Sequence, residues 1–528
     1  MNSSFTVALA QVDLHVGQVA ANVQTIRDAR AEAASGGAAL VVTPEFSLGG
    51  YPPEDLVRKP AFIDRCEAAL AELAAGTADG GPALVVGGPW RDGPRLHNAL
   101  FVLDGGRVVA RRAKRELPNY GVFDEKRVFD PGPPPEPVDV RGVRAGLMVC
   151  EDFWLPAVSD ALAQAGAELL IAINASPFED GKARARVALG AARAMETGLP
   201  FVFVGQVGGQ DEMVFDGGGF VVDKDGEQTV QMPFFERNVK LTEWRREGGG
   251  LRCLPQPLPP EAERCEMIYR CLMTGLSGYV RKNRFARVVV GLDGGLGSAL
   301  TAAVALDALG LDAVRAIVLR GPDTDPALVA DAEEVARTLG IALDTVPMAP
   351  ALAAFCAAGA PEAIRSRCRG LALLAASSAP GALLLGTGDK SGLSVGEADL
   401  WSGFSPLKDV YRTLAAELAQ WRNAHCPTGA QGPDRPFPGN VTARVEDTGM
   451  LPVAELDAIL EGLVEGEESV DSLVACGHDR ASVLRVWRAL DRAEGARRQA
   501  PPGVKISARS FGRDRRYPIT NGFTELVA

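Results

Sequence analysis

Short apolar runs alternate with longer amphipathic segments from Phe5 to about Val222. The short runs predict strands, and the longer segments, with apolar positions every three or four residues, predict helices. The strands are expected at Phe5 to Val12, Ala38 to Val42, Ala83 to Val86, Ala99 to Leu103, Val108 to Ala110, Ala145 to Cys150, Leu169 to Ile173 and Phe201 to Val204. The helices are expected near Val19 to Ala34, Ala61 to Ala75, Ala157 to Ala165 and Arg184 to Glu196. This alternation indicates an α/β layer architecture.

The segment 244–260 is rich in glycine and proline and predicts a linker. It divides the chain into a first domain, 1–243, and a second domain, 261–528. The second domain is expected to open with a helix near Glu261 to Lys282.

A buried strand then runs from Arg287 into a glycine-rich turn and a helix. Backbone N–H groups in such a turn face an anion, so this frame suits phosphate. Later strand and helix segments predict a doubly wound parallel sheet. They lie at Ala313 to Leu319, Leu328 to Leu339 and Ala382 to Thr387.

A length of 528 residues is too great for one hydrophobic core, so two or more domains are expected. A net charge of −12 disfavours nucleic acid or an anionic membrane as the main partner. No apolar run of about 18 residues and no basic, apolar leader is present, which predicts a cytoplasmic protein. Nine scattered cysteines without a Cys-x-x-Cys pair, and four histidines without ligand spacing, predict neither disulfides nor a transition-metal site.

The apolar run that begins at Ala145 ends abruptly at Cys150, and two carboxylates follow directly. A residue at such a strand end is well placed to act as a nucleophile in a cleft. A lone cysteine is more often a buried core residue, and that interpretation would hold here if Cys150 stood alone.

Two other stretches favour catalysis. Glu45 follows the apolar run that ends at Val42, and Lys114 follows the strand-like run that ends at Arg112. A thiol needs a base to become a thiolate and a cation to hold the oxyanion of a tetrahedral intermediate. Glu45, Lys114 and Cys150 are therefore predicted to be base, cation and nucleophile.

These stretches resemble the Glu-Lys-Cys triad of the nitrilase, or carbon–nitrogen hydrolase, superfamily, and more narrowly the glutaminase domain of glutamine-dependent NAD synthetases. The narrower resemblance rests on long collinear motifs. They are Pro44-Glu-Phe-Ser-Leu-Gly-Gly-Tyr51-Pro-Pro-Glu-Asp-Leu56, Leu117-Pro-Asn-Tyr-Gly-Val-Phe-Asp-Glu125-Lys-Arg127, Cys150-Glu-Asp-Phe-Trp154, Asn174-Ala-Ser-Pro-Phe178 and Val207-Gly-Gly-Gln-Asp-Glu-Met-Val-Phe-Asp-Gly217. The resemblance implies an α-β-β-α sandwich followed by an ATP-pyrophosphatase-like domain, and a homo-oligomer, an octamer in the family.

The resemblance also implies roles for further residues of the first domain. Glu125 matches a carboxylate that positions Lys114, although an acidic residue in such a turn is often an N-cap or a salt-bridge partner. The remaining candidates for the glutamine site are Tyr120, Glu151, Ser176, Phe178 and Lys182. Lys182 is the weaker candidate, for the α-carboxylate, and each of these residues taken alone is more often a packing residue.

The second domain departs from its family at the phosphate loop. The family sequence Ser-Gly-Gly-x-Asp-Ser is here Asp293-Gly294-Gly295-Leu296-Gly297-Ser298. Asp293 places a negative charge where a triphosphate approaches, which is repulsive by several kcal/mol in a dry site. Gly297 replaces a carboxylate that holds magnesium in the family, and magnesium needs oxygen ligands.

A second motif, Thr-x-Asn-Lys-Ser-Glu, is here Thr387-Gly-Asp389-Lys390-Ser391-Gly392, which removes another metal-binding carboxylate. The motif that contacts deamido-NAD in the family reads Glu362-Ala-Ile-Arg365-Ser-Arg367. We therefore expect no resident metal and a degenerate nucleotide site. Lys390 and Ser298 then remain as core, salt-bridge or interface residues. The alternative is that Asp293 has taken over metal binding.

Three functions are consistent with these observations. The first is a glutamine (ω-amide) amidohydrolase that releases ammonia, needs no cofactor and is fused to an impaired synthetase-like domain, with an ammonia-accepting enzyme as partner. The second is an active glutamine-dependent NAD synthetase, which uses ATP and magnesium. The third is a scaffold or regulatory binding protein with incidental amidase activity. The sequence favours the first.

Overall fold

The computed structural model describes residues 4–322, 324–355, 362–397, 401–442 and 449–523. The chain forms two compact units. The first contains Met1–Gln210 and Val214–Glu261, and the second contains Asp211–Met213 and Ala262–Ala528. Within the described ranges, no helix has both the length and the apolar character that a membrane crossing requires.

The chain up to Glu261 contains fifteen of the described strands and four of the described helices. The strands are β1 (Ser4–Gln11), β2 (Leu40–Val42), β3 (Ala83–Asp92), β4 (Arg95–Asp104), β5 (Arg107–Ala113), β6 (Val138–Val140), β7 (Val143–Val149), β8 (Leu169–Asn174), β9 (Phe201–Gly205), β10 (Val207–Gln210), β11 (Met213–Asp216), β12 (Phe220–Val222), β13 (Gln228–Gln231), β14 (Asn238–Glu247) and β15 (Gly250–Cys253). The helices are α1 (Val19–Ser35), α2 (Pro60–Gly76), α3 (Pro156–Gln164) and α4 (Lys182–Thr197).

Two sheets make the centre of the first unit. One has the strand order β15-β14-β1-β2-β3-β4-β5, and the other has the order β13-β12-β9-β8-β7-β6. Buried aliphatic residues of both sheets, among them Leu9, Val42, Leu147 and Ile173, belong to one core cluster. Helices α1 and α2 contact the first sheet, and α3 and α4 contact the second. The α-β-β-α sandwich that the family resemblance implies is confirmed.

The predicted linker contains regular structure at its start. Strand β14 continues to Glu247, and a turn at Gly248 and Gly249 leads into β15. Both glycines have positive φ angles, 59° and 86°, which favour glycine in a tight hairpin. Strand β14 is not predicted from the sequence, because exposed charged residues interrupt its apolar positions.

The second unit is a parallel sheet with helices. Its strands are β16 (Arg287–Gly291), β17 (Val314–Arg320), β18 (Ala342–Pro347) and β19 (Ala382–Leu385). Its helices are α5 (Arg264–Lys282), α6 (Leu296–Leu309), α7 (Pro326–Leu339), α8 (Ala349–Phe355), α9 (Glu362–Ala376), α10 (Lys390–Val395), α11 (Arg412–Ala424), α12 (Gly439–Thr442), α13 (Val453–Val464), α14 (Val470–Ala475), α15 (Arg480–Arg492) and α16 (Glu494–Arg497). The strand order is β18-β17-β16-β19, and each neighbouring pair is parallel, which confirms the predicted sheet.

Candidate active site

Cys150 lies at an abrupt turn in the backbone. Strand β7 ends at Val149, and a 3₁₀ turn, Cys150–Phe153, follows without a gap. The φ angle of Cys150 is 45°, a conformation that residues other than glycine rarely adopt. Such backbone strain is common where a side chain must be presented for chemistry. The thiol is nevertheless buried, with 3% of the residue exposed.

Lys114 is held between two carboxylates. Its Nζ donates to Glu45 Oε1 at 2.8 Å and to Glu125 Oε1 at 3.0 Å. Lys114 and Glu45 have no exposed surface, and Glu125 is 4% exposed. Glu45 lies just beyond β2, and Lys114 lies just beyond β5. The N-cap alternative for Glu125 does not apply, because the N-cap residue of the turn Glu125–Arg127 is Asp124. The salt-bridge alternative describes the contact of Glu125 with Lys114.

A glycine allows Glu45 to approach the neighbouring strand. A Cβ atom on Gly87, in β3, would collide with the backbone nitrogen of Phe46 and lie 2.9 Å from the Glu45 carbonyl carbon. The backbone after β2 therefore packs directly against β3. This close approach fixes the position of Glu45.

Burial and charge together set the protonation of these groups. Burial alone lowers the pKa of Lys114, but attraction to Glu125 and Glu45 outweighs it and holds that pKa well above its ordinary value. Burial raises the pKa of the Cys150 thiol; Glu45 raises it further, and Lys114 opposes the rise. Burial also raises the pKa of Glu125 to about 7, against the attraction of Lys114. The site thus holds a permanent buried cation beside a neutral thiol and a neighbouring base.

Two residues that were not predicted as site residues complete this arrangement. Asn98 Nδ2 donates to Glu45 Oε1 at 2.8 Å, and the Tyr51 hydroxyl donates to Glu125 Oε1 at 2.8 Å. Both side chains are buried. Tyr51 lies within the motif that runs from Pro44 to Leu56. Asn98 is a polar residue in the otherwise apolar part of β4, and this is the feature of the sequence that points to it.

The predicted glutamine-site residues fall into two groups. The Tyr120 hydroxyl donates to both carboxylate oxygens of Glu151, at 3.0 and 3.1 Å. Burial is the main cause that raises the pKa of Glu151, and the positive charges of Lys114 and Lys182 oppose the rise. Lys182 Nζ lies 5.8 Å from the centre of the Trp154 ring. Tyr120 and Glu151 are therefore hydrogen-bonded to each other beside Cys150, and the charge of Lys182 acts on Glu151.

Ser176 and Phe178 lie just beyond β8 and are both buried. The Phe178 ring packs against Phe235, with ring centres 5.8 Å apart. The Ser176 carbonyl accepts a long bond of 3.5 Å from Arg186.

In the second unit, the glycine-rich loop joins β16 to α6. Gly294 has a φ angle of 85°, and a Cβ atom there would collide with the Leu328 carbonyl oxygen, so glycine is required. Asp293 Oδ1 accepts from the Gly295 N–H at 2.9 Å and from the Ser298 hydroxyl at 2.5 Å. Gly297 has only the Thr387 carbonyl oxygen near its missing Cβ, at 3.0 Å. Asp293 is therefore the carboxylate of this loop.

The second predicted motif holds a buried ion network. Lys390 Nζ lies 2.7 Å from Asp409 Oδ1 and 2.5 Å from Glu465 Oε1. Asp389 caps α10 by accepting from the Gly392 N–H at 2.7 Å, and it also accepts from Arg412 at 2.9 Å. The side chain of Glu362 lies outside the described residues. Among the described residues, no group of three or more His, Cys, Asp or Glu could hold a metal ion.

Comparison with known proteins decides the family. The Carbon-nitrogen hydrolase family matches residues 6–248, and the NAD synthase family matches residues 268–500. The glutamine-dependent NAD(+) synthetase of Rhodobacter capsulatus is 43% identical over 547 residues, which cover 99% of this chain and 99% of the relative. The chain belongs to the glutamine-dependent NAD(+) synthetase family.

Other members of the family agree with this assignment. The glutamine-dependent NAD(+) synthetase of Xylella fastidiosa is 40% identical, and the match covers 99% of this chain and 100% of the relative. The solved structure of the glutamine-dependent NAD+ synthetase of Acinetobacter baumannii, in complex with ADP, is 34% identical, with a TM-score of 0.79 over 98% of this chain and 99% of that one. The Cytophaga hutchinsonii synthetase, 19% identical with a TM-score of 0.85 over 98% of each chain, has the same fold.

These relatives contradict our prediction of a glutaminase fused to an impaired synthetase domain. The prediction gave too much weight to individual letters of the motifs at Gly297 and Gly392. A change of side chain leaves the strand, the glycine turn and the helix N-terminus in place, and backbone N–H groups supply much of a phosphate site. Asp293 also keeps one carboxylate in the loop, and magnesium bound with nucleotide phosphates commonly needs only one or two from the protein.

Proposed function

We propose that the chain is a glutamine-dependent NAD+ synthetase, which takes ammonia from glutamine and uses ATP to amidate deamido-NAD. The observation that carries the proposal is the buried array of Glu45, Lys114 and Glu125 beside Cys150, in a chain that matches synthetases along its whole length. An amidase alone would need only the first unit.

Glutamine hydrolysis follows from the charges in the first unit. Glu45 takes the Cys150 proton, and the thiolate attacks the γ-carboxamide carbon of glutamine. The Lys114 ammonium stabilises the oxyanion, and ammonia leaves after it receives a proton from Glu45. Water, which gives its proton to Glu45, then hydrolyses the thioester to glutamate. Glu125 holds Lys114 in place during both halves.

The loop of the second unit fits a nucleotide phosphate with magnesium. Backbone N–H groups of the loop and the N-terminus of α6 would face the phosphates of ATP, and Asp293 and Ser298 are the side-chain oxygen donors of the loop. Magnesium bound there would reduce the repulsion between the phosphates and Asp293. We further propose a cytoplasmic homo-oligomer, in line with the family resemblance.

The test is a paired assay on the full-length protein. Glutamate release from glutamine is measured in parallel with NAD+ formation from deamido-NAD, ATP and magnesium, with either glutamine or ammonium as the nitrogen source. We expect NAD+ from both sources, and we expect Cys150→Ala to abolish only the reaction with glutamine. Cys66→Ala, at a buried cysteine of α2 in the same unit, is the matched control. Absence of NAD+ with either nitrogen source would overturn the proposal.

A further inference from the structure

Asp152 lies two residues beyond the nucleophile, and its carboxylate binds three backbone N–H groups. Oδ1 accepts from Arg115 at 2.9 Å and from Glu116 at 2.8 Å, and Oδ2 accepts from Val149 at 3.0 Å. The residue is 3% exposed. Two of these partners directly follow Lys114, and the third directly precedes Cys150. One carboxylate therefore joins the backbone of the cation to the backbone of the nucleophile.

We propose that Asp152 is a positioning residue that holds Lys114 and Cys150 in register for amide hydrolysis. The proposal rests on the proposed function only in taking glutamine as the amide. Asp152 acts through the backbone of its neighbours and does not need to contact substrate.

The position of Lys114 shows why such a link is needed. Strand β5 ends at Ala113, so Lys114 is the first residue beyond the regular ladder. Its own N–H bonds to the Asn98 carbonyl at 2.7 Å, and its carbonyl accepts from Gly132 at 2.8 Å. The chain beyond Lys114 is irregular, and Asp152 supplies acceptors for the next two N–H groups. Without them, two partly buried donors would lose their partner and the segment would shift to find other acceptors.

The position of Cys150 adds a second reason. Its positive φ angle is unfavourable for cysteine and persists only where the surroundings fix it. The bond from the Val149 N–H to Asp152 closes the 3₁₀ turn around this residue. The same carboxylate thus fixes the turn that carries the thiol and the segment that carries the ammonium.

An amide is a poor replacement for this carboxylate. Asparagine has one acceptor oxygen, and its NH₂ group would face an N–H donor at either Val149 or the pair Arg115 and Glu116. Asp152→Asn therefore keeps the size of the side chain and breaks one side of the link. Asp223→Asn is the matched control, because Asp223 is also buried in the first unit and accepts a backbone N–H, that of Lys224 at 2.9 Å.

The test measures the Cys150 thiol as well as turnover. Iodoacetamide labelling of Cys150, followed by mass spectrometry of its peptide, gives the rate of alkylation as a function of pH. The thiol is surrounded by Lys114, which favours the thiolate, and by Glu45, Glu151 and Glu125, which oppose it. When Lys114 moves away, the thiolate loses its cation, so we expect the alkylation profile of Asp152→Asn to shift to higher pH.

For the same variant we expect kcat for glutamine hydrolysis to fall at least 10-fold while KM changes less than 3-fold. Asp223→Asn should leave both quantities and the alkylation profile unchanged. A folded Asp152→Asn protein with an unshifted profile and a kcat within 2-fold of the wild type would overturn the proposal, even if its Tm were lower. If Asp152→Asn does not fold, Asp152→Glu, which displaces the charge by one methylene, is judged by the same criteria.

Alkylation also separates this proposal from the identity of the substrate. The labelling reports on Cys150 whichever amide the enzyme prefers. A shifted profile in a protein whose wild type does not hydrolyse glutamine would support the positioning role and refute only the choice of substrate.

Discussion

Lys114 Nζ lies 3.0 Å from Glu125 Oε1, and both side chains are buried. The pair is not a simple ion pair, because burial raises the pKa of Glu125 to about 7 while Lys114 draws it down. Glu125 therefore exchanges its proton in the neutral range, where most carboxylates are fully ionised. This places a titrating group at the centre of the proposed amidase site.

The first prediction concerns activity and pH. Below pH about 7, Glu125 gains a proton, so that one of the two carboxylates paired with Lys114 loses its negative charge. We expect kcat/KM for glutamine hydrolysis to fall on this acid side. Glu125→Gln should lower kcat/KM by about 100-fold and flatten the acid limb. The measurement is the pH–rate profile of both proteins. If Glu125→Gln kept the wild-type fall of kcat/KM at acid pH, that fall would be due to another group.

The second prediction concerns stability and pH. The pKa of Glu125 is raised from 4.5 in an exposed setting to about 7 in the fold, so the folded protein binds this proton more tightly than the unfolded chain does. Its contribution to the free energy of unfolding is therefore largest below pH 4.5 and decreases as the pH rises toward 7. Denaturant unfolding at several pH values should show a smaller decrease for Glu125→Gln. If the free energy of unfolding of Glu125→Gln changed with pH as steeply as that of the wild type, this linkage would be contradicted.

The third prediction concerns the close approach at Gly87. Gly87→Ala places a methyl group against the backbone nitrogen of Phe46, so the chain that carries Glu45 must move. A displacement of this kind can cost about 100-fold in rate. We expect kcat for glutamine hydrolysis to fall by that order while NAD+ formation from ammonium is kept. Gly76→Ala is the control, because no atom lies within 4 Å of its Cβ position; equal activity in the two variants would refute the argument.

The fourth prediction concerns Asp293. If it is the carboxylate that accompanies magnesium at the loop, Asp293→Asn should reduce NAD+ formation from ammonium at least 10-fold. Glutamine hydrolysis measured without ATP should be unchanged. Asp312→Asn, at an exposed position of the same unit, serves as control. A faster Asp293→Asn enzyme would instead mean that the carboxylate only repels the phosphates.

Much of the fold could be predicted from periodicity and motif spacing. The buried strands β7 and β8 are continuous apolar runs, and the residues that follow them carry the motifs. Strand β14 escaped prediction because its outer positions are charged, so its alternation is visible only once its pairing with β1 is known. Short strands such as β6, with three residues, carry too little periodicity to be recognised.

The site was only partly accessible from sequence. Glu45, Lys114 and Cys150 stand next to strand-like runs, which gives each of them a local signal. Asn98 also adjoins a strand-like run, but its role depends on the distance of 2.8 Å between its Nδ2 and Glu45 Oε1, which is known only from the fold. In the second unit, both the lost motif letters and the strand–turn–helix frame that suits phosphate could be predicted from the sequence, and the error was to give the letters more weight than the frame.

The two sheets of the first unit each contribute residues to the proposed amidase site. Glu45 and Lys114 follow strands of one sheet, whereas Cys150 follows β7 of the other, and the Ala175 N–H beyond β8 reaches across to Glu45 Oε2 at 3.0 Å. A chain leaving the ribosome therefore has a thiol without its base until both sheets have formed and docked. Incompletely folded molecules can contain most of the native strands and still be unable to consume glutamine.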